Sequence, residues 1–184
     1  MTAQSEAGAG PAPAAGDFAV IYERHFTEIH RYIAGRLGRD VADDIAADTF
    51  VIALRKRDCF DPARGTARAW LYGIATNLVA RQQRAELRRY RALARAGARD
   101  LTDEHEERVV SSVAAEALQP RLASALARLS RDERDVLLLV ALADFSHEEI
   151  SHALGIPYGT VGSRLNRARK KIRTALGQEG QTDE

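Results

Sequence analysis

The chain has 184 residues, 45% hydrophobic and 6% aromatic, with Ala, Leu and Arg prominent; such strong helix formers, with few β-branched or aromatic runs, predict an all-α protein. Lys and Arg number 27 against 26 Asp and Glu, so the net charge of +1 excludes no class of partner and only the distribution of charge informs. A single cysteine, Cys59, excludes an internal disulfide and a multi-cysteine metal site, and no segment approaches the ~18 apolar residues of a membrane span.

Residues 1–16 are rich in Ala, Gly and Pro and lack the basic start and apolar run of a signal peptide, which predicts a disordered tail on a cytoplasmic protein. Phe18, Ile21, Tyr22, Phe26, Ile29, Ile33 and Leu37 then recur at helical spacing, with Asp17 as the candidate cap. Gly38 breaks the pattern. Asp40 can cap a second helix that turns Val41, Ile45, Thr49, Ile52 and Leu54 inward and shows Asp43, Asp44 and Asp48 on its opposite side. Asp61-Pro62 and Gly65 punctuate a loop over 58–65. Cys59, within it, reads as a buried or inert thiol.

A third helix begins near Thr66, with Trp70, Leu71, Ile74, Leu78 and Val79 on its apolar face, and completes a bundle over 17–89. Asn77, Arg81, Arg84 and Arg88 stand at i, i+4, i+7 and i+11 along one side of that helix. Arginines with an amide and nearby aromatic rings can hold a single nucleic-acid strand, by charge on its backbone and by stacking or hydrogen bonds on its bases. Trp70 fits either the core or that strand.

Over 90–119 basic residues (Arg91, Arg95, Arg99) give way to an acidic block (Asp103, Glu104, Glu106, Glu107), and no apolar face is sustained before Val109. The expectation is a flexible linker with a short helix near its end. Some 30 extended residues reach on the order of 100 Å, more than the roughly 70 Å of two helical turns of DNA.

The second domain is expected over 120–177, with a tail at 178–184. Leu122, Leu126 and Leu129 mark one helix, and Val136, Leu137, Leu139, Val140 and Leu142 the next. Ser146-His147-Glu148-Glu149 reads as a capping box. The short helix it opens turns Ile150, Ala153 and Leu154 inward and stops at Gly155, where a left-handed residue is required. After Ile156-Pro157 a further helix buries Val161, Leu165, Ala168 and Ile172. It exposes Ser163, Arg164, Asn166, Arg167, Arg169, Lys170, Lys171 and Arg173, with no acidic residue among them. Small Ser151 at the crossing, Gly155 in the turn and Val161 as anchor make this a helix-turn-helix. Thr160 and the free amides of the second helix suit a phosphate, and Arg and Asn further along suit base edges.

No catalytic constellation is legible. His147 and His152 are five apart, as are His25 and His30, and His105 lies in the linker, so no metal site converges. Neither a phosphate-binding glycine loop nor a nucleophile motif is present, and no cofactor is expected.

Two sets of motifs resemble a known family. Leu129-Ser-Arg-Asp-Glu-Arg-Asp-Val-Leu-Leu-Leu139, Phe145-Ser-His-Glu-Glu-Ile-Ser-His-Ala-Leu-Gly-Ile-Pro157 and Gly159-Thr-Val-Gly-Ser-Arg-Leu-Asn-Arg-Ala-Arg-Lys-Lys171 look like region four of extracytoplasmic-function sigma factors. Asp40-Val-Ala-Asp-Asp-Ile-Ala-Ala-Asp-Thr-Phe50 and Ala69-Trp-Leu-Tyr-Gly-Ile-Ala-Thr-Asn77 look like their region two. The resemblance implies a non-enzymatic subunit that directs core RNA polymerase to promoter DNA. It implies that Asp43, Asp44 and Asp48 dock on the clamp coiled coil of the largest polymerase subunit. The loop from Phe60 to Gly65 and the helix around Asn77, with Trp70, Arg81 and Arg84, would open and hold the −10 element. Ser163, Asn166 and Arg167 would read the −35 element, with Thr160 and Arg164 on phosphates and Lys170 beside them.

An anti-sigma factor is an implied partner. Gly162, Ala47 and Ser151 depart from the residues usual in the family, which affects −35 preference more than class. The alternative reading is a stand-alone helix-turn-helix regulator, against which stand the separate acidic and basic helices of the first bundle.

Overall fold

The computed structural model describes residues 15–96 and 119–177. Both expected tails, most of the expected linker and the short helix foreseen near its end lie outside these residues, apart from the last two positions of the N-terminal tail. Seven α-helices and one short 3-10 turn (Arg57–Cys59) make up the regular structure described: α1 Ala15–Leu37, α2 Ala42–Arg55, α3 Ala67–Ala96, α4 Gln119–Ala127, α5 Arg131–Ala143, α6 His147–Leu154 and α7 Tyr158–Gly177.

Helices α1, α2 and α3 pack together as a first group, and α4, α5 and α6 pack on or beside α7 as a second. In the first group the aromatic residues of α1 meet α2: Phe18, Tyr22 and Phe26 surround Phe50, with ring centroids 4.9–6.5 Å apart. The inner face of α2 is Ala42, Ala46, Thr49, Phe50 and Ala53. It is rotated from the expected face, because alanines let α2 approach its neighbours closely, so the larger Val41, Ile45 and Ile52 sit at the edges and Leu54 is 40% exposed.

The helix starts also differ in part from expectation. Helix α1 begins two residues before Asp17, which is therefore not its cap. The N-cap of α2 is Val41, without a side-chain hydrogen bond, so Asp40 does not cap it. Thr66 does hold the start of α3, its hydroxyl accepting from the Ala69 amide at 3.1 Å. That helix runs on to Ala96, seven residues beyond the boundary read at Arg89. Cys59 is exposed rather than buried.

The second group is ordered by local caps. Ser130 and Glu133 form a capping box at the start of α5, and Arg134 ties the end of α4 to α5 by donating to the carbonyls of Leu126, Ala127 and Leu129. Burial, and next the nearby Arg36, push the Arg134 pKa down. Asp144 ends α5 in the left-handed region at φ 52°.

The two groups are not separate bodies. Their buried apolar residues form one continuous cluster, from Phe18 and Ile29 through Leu71 and Tyr72 to Val136, Ile150 and Val161. Helix α3 lies against α6, and α1 touches α5. Among the described residues every buried side-chain polar atom has a hydrogen-bond partner.

Candidate nucleic-acid interface

The helix-turn-helix is α6 and α7. The Ser146 hydroxyl accepts from the Glu149 amide at 3.2 Å and the Glu149 carboxylate accepts from the Ser146 amide at 2.9 Å, so two orphan donors are satisfied reciprocally. Gly155 closes α6 at φ 61°. Ser151 is half-buried at the turn and donates to the Ile156 carbonyl at 2.6 Å, which pins the chain as it leaves α6. Val161, Leu165 and Ala168 are buried under α7, with Ile172 half-buried.

Opposite that buried stripe, Ser163, Asn166, Arg167 and Lys170 face solvent, and Thr160 is half-exposed one turn earlier. Ser163 donates to the Thr160 carbonyl at 3.0 Å. Arg164 and Lys171 flank the stripe on the α5 side. Arg164 pairs with Asp132 at 2.6 Å, while Lys171 and Arg167 reach Glu133 at 2.7 and 3.7 Å. The sequence pattern does not mark Asp132 and Glu133 as partners of α7; the local signal is the capping box Ser130–Glu133, whose N3 carboxylate faces α7. The hydrogen bond from Lys171 is the main cause holding the Glu133 carboxyl below its ordinary pKa, against the opposing effect of burial. Arg128, Arg167, Lys170, Lys171, Thr174 and Ala175 line a shallow groove of about 410 Å³ beside this face.

In the first group, Asn77, Arg81, Arg84 and Arg88 are all exposed along α3. Trp70 is half-buried. Its ring lies 5.2 Å from that of Phe60, so it braces the loop ahead of α3 while resting on the core. The Asp61 carboxylate accepts from the Ala63 amide at 2.9 Å and tightens the same loop.

Asp43, Asp44 and Asp48 are exposed on α2, with Asp43 accepting from His30 of α1 at 2.9 Å. The acidic face, the α3 stripe and the α7 stripe are thus three separate surfaces. Among the described residues no group of His, Cys, Asp and Glu could hold a metal ion, and no helix is long and apolar enough to cross a membrane.

A helix-turn-helix with a cationic outward stripe, joined to a second helical group bearing its own basic stripe, is the architecture of a DNA-binding protein. Comparison with known proteins narrows the class. Residues 21–102 match the Sigma-70 region 2 family and residues 120–172 match Sigma-70, region 4. ECF RNA polymerase sigma factor SigL of Mycobacterium tuberculosis is 32% identical over 164 residues, which cover 88% of this chain and 90% of SigL.

Two solved structures are similar over nearly the whole chain. CnrH in complex with the cytosolic domain of CnrY has a TM-score of 0.61 at 26% identity, covering 90% of each chain. RpoE in complex with the anti-sigma factor NepR from Bartonella quintana has a TM-score of 0.62 at 25% identity, covering 92% of this chain and 100% of RpoE. The chain belongs to the extracytoplasmic-function group of RNA polymerase sigma factors, promoter-recognising subunits without catalytic activity of their own. Both regions are present in family order, which a stand-alone regulator would lack.

Proposed function

We propose that this sigma factor works in the cytoplasm through the three surfaces described, one for the polymerase and two for the promoter. The first domain would run to the end of α3 at Ala96 and the second would begin with α4 at Gln119, with the segment between them as the tether. The exposed carboxylates Asp43, Asp44 and Asp48 dock the chain on the clamp coiled coil of core polymerase. The loop 60–65, braced by Trp70, and the exposed Asn77, Arg81 and Arg84 hold the opened −10 strand. Charge neutralises the backbone there, and the side-chain amide offers hydrogen bonds to an unstacked base.

On α7, Ser163, Asn166 and Arg167 read the −35 base edges, while Thr160, Arg164 and Lys170 engage phosphates. The observation that carries this reading is the stripe of Ser163, Asn166, Arg167 and Lys170 standing opposite the buried face of α7. The likeness to RpoE, seen with the anti-sigma factor NepR, supports an anti-sigma factor as a further partner.

The test is transcription from a promoter library by core polymerase with and without the chain. A defined set of start sites that appears only with the chain, sharing two elements about two helical turns apart, is the expected result. Unchanged start sites would sink the reading.

A further inference from the structure

Helix α3 carries a second packed face that the first helical group does not use. A Cβ built on Gly73 would lie 2.3 Å from the Ala153 carbonyl oxygen and 3.2 Å from its carbonyl carbon. The nearest atoms all belong to α6, so glycine is required here by the second domain. For α3 itself alanine would be the better helix former.

Around this point the contacts are specific. Arg68 donates to Glu28 of α1 at 2.9 Å and to the Ala143 carbonyl at 2.8 Å, and its guanidinium stacks on Tyr72 at 5.2 Å and Phe145 at 4.4 Å. Arg36 of α1 donates to Asp135 of α5 at 2.5 Å across 99 residues of chain, and the two residues are 5% and 4% exposed. Each has a further partner in its own domain, Tyr32 for Arg36 and Arg131 for Asp135.

The contact also reaches the loop ahead of α3. A Cβ on Gly65 would lie 3.2 Å from the Cβ of His152.

We infer that the chain closes on itself. The face of α3 around Gly73 is a docking surface for α6 of the same chain, and the Arg36–Asp135 pair fastens it without a second protein. In this form the loop at 60–65 and the helix-turn-helix touch. On a promoter, by the reading proposed above, they must stand roughly 70 Å apart. The closed chain therefore cannot engage both elements, and loading onto polymerase and DNA requires the domains to part. A chain that is mostly closed binds with an affinity reduced by its open fraction.

The experiment compares the full-length chain with Gly73→Ala and, acting on the other side of the interface, Asp135→Asn. Small-angle scattering reads the radius of gyration, circular dichroism the helix content, and titration the affinity for core polymerase. Expected is a larger radius for both variants at unchanged helicity, with binding to core polymerase about tenfold tighter as the open fraction rises. A Gly73→Ala chain as compact as the parent overturns the docking surface. Expansion without tighter binding overturns closure as a brake. If no form binds core polymerase, the proposed function fails, and the scattering still decides whether the chain closes on itself.

Discussion

Arg167 sits where two demands meet. Its side chain is 61% exposed on the outward side of α7, yet its Nε lies 3.7 Å from Glu133. A long cation held at one edge has fewer rotamers to lose when its free edge meets a base, and a planar fork held in place is what distinguishes guanine from other partners. Arg167→Ala is expected to cost about 1–3 kcal/mol on the preferred −35 sequence and to relax choice at that base pair; competition binding by holoenzyme on single-position variants of the element reads both. Unchanged discrimination would remove Arg167 from the reading set.

Glu133 itself has a pH signature. Its pKa is depressed in the folded chain, chiefly by the Lys171 hydrogen bond. Its contribution to stability is therefore fully present above its unfolded value, about 4.3, and is lost as pH falls through the lower folded value. Melting temperature followed from neutral to acidic pH should fall less for Glu133→Gln than for the parent, since the variant has no such proton to take up. Parallel curves would mean that other carboxylates dominate.

At the scale of single helices, each proposed role can be tested without disturbing the fold. The three carboxylates of α2 project from a helix whose inner face is mostly alanine, so charge changes outside leave its packing intact. Asp43→Lys with Asp44→Lys is expected to abolish most co-purification with core polymerase at unchanged helicity, and full retention would move the docking surface elsewhere. In α6 the hydroxyl of Ser146 carries the cap, and Ser146→Ala should lower stability by about 1 kcal/mol, read by denaturant unfolding.

The contrast between these two helices explains what could be read in the sequence. Helices α6 and α7 were legible because their causes are local: a capping box, a glycine at φ 61°, and Val161, Leu165 and Ala168 at helical spacing. The inner face of α2 was not, because periodicity weighs large branched residues while close approach there selects Ala42, Ala46 and Ala53. The pairing of Asp132 and Glu133 with α7 is not legible for a different reason. Their role depends on where α7 lies over the start of α5, a tertiary fact without a sequence period.

Nothing local marks Arg36 and Asp135 either, yet at the scale of the whole molecule they decide how the two helical groups sit. A buried ion pair stabilises little against an apolar pair of like volume, because both charges surrender their hydration. Removing one partner is far more costly, commonly about 3–5 kcal/mol, since the other charge is left buried and alone. Here there is an escape. With the domains apart Arg36 meets water while keeping Tyr32, so the penalty of a single substitution can be no larger than the free energy holding the domains together.

Two outcomes separate the cases. If domain closure is weak, Arg36→Met or Asp135→Leu alone leaves the melting temperature of the helices near the parent value and expands the chain. Combined in one chain, the two apolar residues should restore the compact radius, because neither charge is then stranded, giving a favourable coupling of at least ~1 kcal/mol in a double-mutant cycle on the closing equilibrium. A cycle with no coupling would show that Gly73, Arg68 and Phe145 close the chain and that the ion pair merely fits the gap between them.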